Sequence, residues 1–428
     1  MIIKIGLENY KSIREYQEIS FECAAINAHY ENTFSVTTKN NDKGYSLLKY
    51  NLIFGHNASG KSNFVKGIAY NVGFIGGAKN LSENDAIIAY EPCKFGGMGK
   101  PSSFYVEFII ENIKYTYFFA YNSDRVIEES LYFYPSNRKA LIFSRKNDSY
   151  KFGKYFKGNK DSVKNATLSN QLALSKASTD NRNETIRRVY NYFNDFNIGS
   201  SISTLSRIHN ISAKRAYHDQ SYREALESFL KFSDLGLSGI IVEKEDAPVS
   251  KIPKELMDDF KINEDDLKYR IMFLHDSKHG DASMEIYEQS AGTEHLFQIA
   301  PALITSLQTG GFLILDEFDS YLHPYICEMI IKIFNDPDIN RRNAQLLITT
   351  HNIDLMSSDI VRRDQVWFTE KEDGRTNLYC LYDFKDRSLR NNTNFGEWYL
   401  QGKFGAIPDI NLKDFAKNLW GNDGKKTE

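Results

Sequence analysis

The chain reads as an α/β protein: a parallel sheet flanked by helices, interrupted by an antiparallel β-meander and a helical insert. Three observations point there. The apolar run YNLIFG (50–55) enters GHNASGKS (Gly55–Ser62), a glycine-rich loop followed by helical spacing from Lys61 onward. Late in the chain, helix and strand alternate through GFLILDE, PYICEMIIKIF and AQLLITTH, the order that a parallel sheet produces. Between them, FYVEFII, IKYTYFFAY and RVIEESLYFY are β-rich runs separated by the short turn signals EN and NSD.

Composition narrows the class. The 428 residues, 41% hydrophobic and 14% aromatic, can bury a real core in two or three compact units, or in one core domain with large insertions. A net charge of −3 argues against coating nucleic acid with the whole surface and leaves room for a local basic patch. Cys23, Cys93, Cys327 and Cys380 form no CxxC, so neither a disulfide framework nor a zinc site is expected. The opening MIIKIGLENYKSIREY lacks the apolar core and cleavage site of a signal peptide, and no run reaches the roughly 18 apolar residues of a membrane span. A soluble cytoplasmic protein without a membrane partner is the expectation.

Taken in order, residues 2–7 alternate like a strand and ISFECAA (19–25) reads as a second. The phosphate-loop strand and helix follow, and 71–103, rich in Gly, Asn and Pro, reads mostly as loop. The meander occupies 101–160. Residues 161–283 read as a mainly helical insert, with NETIRRVYNYFNDF and SYREALESFLKF at helical spacing, and KYRIMFLHD and SMEIYEQS as strands at its end. The parallel α/β core then divides into 1–100 and 284–428. After Glu294 the expected order is helix, strand, helix, strand, helix, with Pro301 costing the first helix a backbone bond. No repeat and no sustained heptad run is present, and the tail GNDGKKTE reads as frayed.

The chemistry-bearing residues fall at the ends of these elements. GHNASGKS fits the GxxxxGK[ST] phosphate loop, making Gly55, Asn57, Gly60, Lys61, Ser62 and Asn63 the candidate nucleotide-binding residues. Backbone N–H groups curl around the phosphates, Lys61 supplies a point charge and Ser62 a ligand for Mg²⁺. FLILDE ends a strand in two carboxylates: Asp316 is placed to hold Mg²⁺ through water, and Glu317 to polarise the attacking water. A histidine such as His351 at a strand end is more often a plain core or surface residue. This one falls one α/β unit after the carboxylates, where a γ-phosphate contact is expected. In QSAGTEH (289–295), Ser290 and Gly292 at the start of a helix suit an anion. No NKxD motif occurs, which favours adenine over guanine nucleotide. In 138–164, Lys151, Lys154, Lys157 and Lys160 alternate with Phe152, Tyr155 and Phe156. That mixture suits phosphate contact with base stacking, or a solvated hairpin at the meander's edge.

With these motifs in place, nearly the whole chain resembles the ABC-type ATPases, the class of transporter motors and of the SMC, RecF and OLD proteins. The resemblance implies an ABC-type P-loop NTPase head carrying a β-meander subdomain and a helical insert. QSAGTE stands where the LSGGQ-like signature belongs, with Ala291 for its first glycine and Thr293–Glu294 at its end; FDS (Phe318–Ser320) is the D-loop and His351 the switch histidine. It implies Mg²⁺-dependent ATP hydrolysis at a composite site, Ser290 and Gly292 holding the γ-phosphate of ATP bound by the other subunit. The class places a glutamine near metal and water, for which Gln171, with Asn170 beside it, is the candidate. ENYKSIRE, PSSFYVEF, NQLALS, SAGT, DEFDSYLHP and YLQGKFGAIPDI are most similar to the RloA/AbiL-type AAA-family ATPases of bacterial defence loci. That implies a homodimer, or a higher oligomer, switching a separately encoded effector such as a Toprim-like nuclease in abortive-infection phage defence. The absence of a CxxC hook and of coiled-coil arms argues against a Rad50-like protein, and the missing Glu…DxD set argues against a built-in Toprim nuclease. The alternatives are a RecF/SMC-like DNA-repair clamp and, less favoured, a transporter motor.

Overall fold

The computed structural model describes residues 1–38, 41–136, 138–199, 205–233, 236–246, 265–278, 280–385, 393–408 and 412–420. A six-stranded sheet runs edge to edge through Asn197–Gly199, Phe312–Leu315, Gln345–Thr349, Tyr50–Phe54, Val366–Glu372 and Arg375–Cys380. Its first five strands are parallel, and the last returns antiparallel. Tyr50–Phe54, Phe312–Leu315 and Gln345–Thr349 are buried at every position, as continuous apolar runs in a sheet covered on both faces must be. Pairing of Thr349 with Ile53 and of Leu315 with Ile348 brings the carboxyl ends of these three strands to one edge. In open parallel sheets that edge is where ligands bind.

A seven-stranded antiparallel sheet lies alongside, in the order Ser149–Phe152, Arg138–Lys146, Val126–Ser136, Ile113–Tyr121, Ser102–Ile110, Ile2–Glu8, Gln17–Ser20. The turn between Ile110 and Ile113 is Glu111–Asn112, both with positive φ (47° and 62°), the two-residue hairpin geometry that matches strand twist. The sheet thus exceeds the three runs read from sequence. It recruits the basic stretch as two edge strands and takes in N-terminal strands, so it draws on residues from both sides of position 100.

One helix, Lys61–Gly77, joins the two sheets. Phe64, Val65, Ile68, Val72 and Ile75 pack in one core with Ile53, Ile314 and Leu347 of the parallel sheet and Phe104, Phe119 and Tyr121 of the antiparallel one. On the other face, Leu52, Phe54, Leu313, Leu315 and Ile348 pack with Leu296, Phe297 and Leu303 of the helix Ala291–Thr309.

The first helix continues through 71–77, where a loop was expected. Burial of Val72, Phe74 and Ile75 outweighs the weak helix preference of Gly73, Gly76 and Gly77. The expected insert is mixed. Helices Lys160–Ala166, Ala173–Ala177, Glu184–Asn194, Leu205–His218 and Gln220–Ser233 accompany a small sheet of Gly239–Lys244, Tyr269–His275 and Ala282–Met284. Residues 247–264 of that insert, and the tail from 421, lie outside the described residues. SMEIYEQS is a strand only to Met284; a 3₁₀ turn at Ile286–Glu288, closed by Glu285 and Glu288 side chains, follows. After His351 the 3₁₀ turns Ile353–Met356 and Arg363–Gln365 replace the expected helix. The chain then enters the hairpin Val366–Cys380, which the sequence reading missed. Among the described residues no helix is long and apolar enough to cross a membrane.

Candidate nucleotide site

The phosphate loop is shaped by two glycines. A Cβ on Gly55 (φ 153°) would come within 2.6 Å of the Ser59 hydroxyl, and on Gly60 (φ 111°) within 2.1 Å of Thr376 Oγ1. Both positions therefore exclude side chains. The loop's floor is a relay of hydroxyls. Asn63 Nδ2 donates to Ser12 Oγ at 2.7 Å, Ser12 to Thr376 Oγ1 at 2.7 Å, and Thr376 to the Ser59 carbonyl at 2.8 Å. Ser59 Oγ in turn lies 2.6 Å from Thr369 Oγ1. Ser12, Thr369 and Thr376 come from segments remote in sequence. Only Ser12 had a signal, inside ENYKS. The Asn63 amide is thereby committed to bracing the loop, and Asn57 lies exposed on the loop's outer turn.

Lys61 opens the helix and turns its ammonium back to the carbonyls of Gly55 (2.7 Å) and His56 (3.3 Å). Burial pulls its pKa down to about 8, against the opposing pull of Glu317, Asp316 and Asp319. The adjacent strand end supplies the acids. Asp316, 5% exposed, accepts Ser62 Oγ at 3.0 Å and Thr349 Oγ1 at 2.6 Å, both on Oδ1. Thr349 Oγ1 also accepts the Glu317 N–H at 2.8 Å, so one hydroxyl orients both acidic residues. Glu317 has a left-handed backbone (φ 50°), an uncommon conformation that turns its exposed side chain away from the strand line. His351 follows on the next strand, its backbone N–H donating to Asp319 Oδ2 at 3.1 Å. Burial lowers its pKa and Lys61 adds to that, while Asp319, Glu317 and Asp316 oppose, which keeps the imidazole neutral at neutral pH. Lys61, Ser62, Asp316, Glu317 and His351 are therefore brought together by three neighbouring strand ends.

The Ser62 and Asp316 oxygens suit Mg²⁺. Both are hard oxygen donors, and their 3.0 Å separation equals the edge of an octahedron with metal–oxygen bonds of about 2.1 Å. Among the described residues no group of three or more His, Cys, Asp or Glu could hold a metal. A cation here would need phosphate oxygens to complete its shell.

Ser290 caps the helix Ala291–Thr309, its Oγ accepting the Thr293 N–H at 3.1 Å. A Cβ on Gly292 would stand 3.0 Å from the Tyr321 carbonyl, and the buried His295 ring donates to the Phe318 carbonyl at 3.0 Å. The signature is thus fastened to the D-loop of its own chain. Among the described residues no hydrogen bond joins Ser290 or Gly292 to the phosphate loop.

Gln171 is not brought to this site. It is 3% exposed, donating to the carbonyls of Leu81 (2.7 Å) and Lys79 (3.3 Å) and accepting the Leu168 N–H at 3.2 Å. Asn170 holds the carbonyls of Ser82 and Asp85 in the same way. These amides pin the segment leaving the far end of a 17-residue helix, about 22 Å along its axis from Ser62. The role expected from the class gives way to a structural one because both amide N–H groups are spent on backbone carbonyls at the far end of that helix. In the basic stretch, Lys151, Lys154, Lys157 and Lys160 are exposed, but Phe156 is buried, and Phe152 and Tyr155 pack on the core. Phe156 is thereby withdrawn from base stacking, while Phe152 and Tyr155 stay partly exposed.

A family model described as "AAA domain, putative AbiEii toxin, Type IV TA system" matches residues 51–357. A search among curated proteins finds none that matches the chain. Among solved structures, the SMC head domain from Thermotoga maritima is similar at 14% identity, covering 89% of this chain and 98% of that one, with a TM-score of 0.39. The SMC head bound to the C-terminal winged-helix domain of ScpA gives 14% identity, 89% and 97% coverage and a TM-score of 0.40. The ATP complex of the recombination mediator RecF gives 15%, 88% and 97%, and 0.33. With its family match running from the phosphate-loop strand to just past His351, the chain belongs to this AAA-domain family.

Proposed function

We propose that this ATPase is a switch that closes as a homodimer around ATP and Mg²⁺, acting in the bacterial cytoplasm in anti-phage defence of the abortive-infection type and controlling a separately encoded effector. One observation carries the dimer. The phosphate loop, both carboxylates and His351 converge at one sheet edge, while Ser290 and Gly292 stand at a helix N-terminus without a hydrogen bond to their own loop. A helix start with a capping serine is an anion site awaiting an anion, and a second copy supplies one. In this reading the loop amides and Lys61 hold the β- and γ-phosphates. Ser62 and Asp316 hold Mg²⁺, which when bound neutralises phosphate charge. Glu317 orients and polarises the attacking water, and the neutral His351 contacts the γ-phosphate. Support for the defence role is the Abi-type description of the matched family, together with the resemblance of ENYKSIRE, DEFDSYLHP and YLQGKFGAIPDI to defence-locus ATPases.

The test is complementation. Ser290→Arg should bind ATP as a monomer and fail to close, because the long side chain enters the slot for the partner's γ-phosphate. Lys61→Ala should lose phosphate binding. A mixed dimer of the two has one site with both lesions and one with neither, so hydrolysis should partly recover on mixing. No recovery at any ratio means that the signature does not act across two chains. Phage protection by this chain expressed alone would remove the effector from the proposal. ATP-dependent, salt-sensitive DNA binding without a partner would favour a repair clamp instead.

A further inference from the structure

We infer that Lys66 is the resident counter-ion of Asp316 and thereby sets how much Mg²⁺ the site needs. Lys66 stands one helical turn beyond Ser62 and so shares its face of the phosphate-loop helix. Its Nζ is 3.9 Å from Asp316 Oδ2, with the two side chains 29% and 4% exposed. The other carboxylate oxygen, Oδ1, already receives the hydroxyls of Ser62 and Thr349. Oδ2 is the oxygen that faces the Lys66 ammonium. Lys61 is turned toward the carbonyls of Gly55 and His56, which leaves Lys66 as the ion pair's positive member.

A carboxylate this buried needs compensating charge, and a lysine can give it without a metal. A divalent ion arriving at Ser62 and Asp316 meets that positive charge at close range and must win the carboxylate from it. Lys66 and Asp316 both line a cavity of about 420 Å³, walled by Val65, Ala69, Tyr70 and Ile314. That space lets the lysine swing aside, and its partial exposure lets the ammonium keep water while doing so. The lysine is a positioning residue: it acts on the metal's ligand and touches no reacting atom.

The inference rests on the reading of this site as one for Mg²⁺ and ATP, and the experiment separates the two. A fluorescent ATP analogue is titrated onto the intact chain at fixed Mg²⁺ concentrations from micromolar to millimolar. Thermal melting is followed in parallel in EDTA and in Mg²⁺ without nucleotide. Lys66→Met and Lys66→Gln should lower the half-saturating Mg²⁺ about tenfold, a pair at this distance being partly screened by solvent. They should melt below the parent in EDTA and regain most of that difference in Mg²⁺. Lys66→Arg, which keeps the charge, should behave like the parent. Folded Met and Gln variants with unchanged or higher Mg²⁺ demand would overturn the role of Lys66. A parent chain with no Mg²⁺-dependent nucleotide binding would overturn the underlying site reading instead.

Discussion

Lys61 shows how the site's electrostatics reach function. In the proposed function its ammonium holds phosphate, yet burial brings its pKa down to about 8, far below an ordinary lysine. ATP binds best to the charged form, so affinity should be flat below that pH and fall as pH rises through it, by up to tenfold per unit for one proton. Glu317, the first of the carboxylates opposing the shift, helps keep the lysine charged. In Glu317→Gln the loss of affinity should therefore begin at lower pH, while hydrolysis drops by about 10²-fold or more through loss of the water-orienting carboxylate. Calorimetric ATP titrations between pH 7 and 9.5 read the first effect, and phosphate release reads the second. Parent-like turnover in Glu317→Gln would reassign the role. Lys61, Ser62, Asp316 and Glu317 were legible in the sequence because each belongs to a contiguous motif at a strand end. Thr349 and Lys66 were not, because they matter only through distances to Asp316 that folding creates. Gln171 misled for the converse reason: an amide's partners are set by the tertiary fold, and here they are the carbonyls of Lys79 and Leu81.

At the scale of elements, the hairpin Val366–Cys380 is the component that sequence reading lost. The alternation of helix and strand after Glu294 argued for another helix, and tertiary context overrode it. The local signal was present nonetheless: Asp373 and Gly374 both have positive φ, the turn chemistry that DG between alternating strands encodes. The hairpin matters because Thr376 is buried against the phosphate loop and donates to the Ser59 carbonyl. Thr376→Val keeps the shape and deletes the hydroxyl, leaving the Ser59 carbonyl and the Ser12 hydroxyl without their partner. We expect a loss of about 1–3 kcal/mol in denaturant unfolding, with weaker ATP binding, and near-parent behaviour from Thr376→Ser. Equal stability of Val and Thr at this position would show that the relay of hydroxyls does not hold the loop.

The whole molecule separates its chemistry from its outer antiparallel edge. The proposed catalytic groups gather at the carboxyl edge of the parallel sheet, and the strands Arg138–Lys146 and Ser149–Phe152 form the far margin of the other sheet. The class and sheet arrangement were readable because the phosphate loop, DE strand and TTH strand each carry their own pattern. The size of the antiparallel sheet was not, since pairing of Ile2–Glu8 with Ser102–Ile110 spans about a quarter of the chain. Reversing charge at Lys151, Lys154 and Lys157 should leave ATP hydrolysis within about twofold of the parent, as expected for exposed side chains away from the site. Pull-down with the proposed effector and filter binding to nucleic acid would then read what those lysines serve. A large fall in hydrolysis would place this edge inside the catalytic mechanism.

The bonds from His295 to the Phe318 carbonyl and from the His351 N–H to Asp319 have one more implication. They splint the helix that begins at Ser290 to the histidine at the end of the neighbouring strand, within a single chain. In the proposed pair those two ends of the splint face different nucleotides. A protomer could not feel the loss of a phosphate at its own histidine without shifting its grip on the other molecule of ATP. The pair would then run as an escapement, in which one tick sets up the next, and not as two clocks sharing a case.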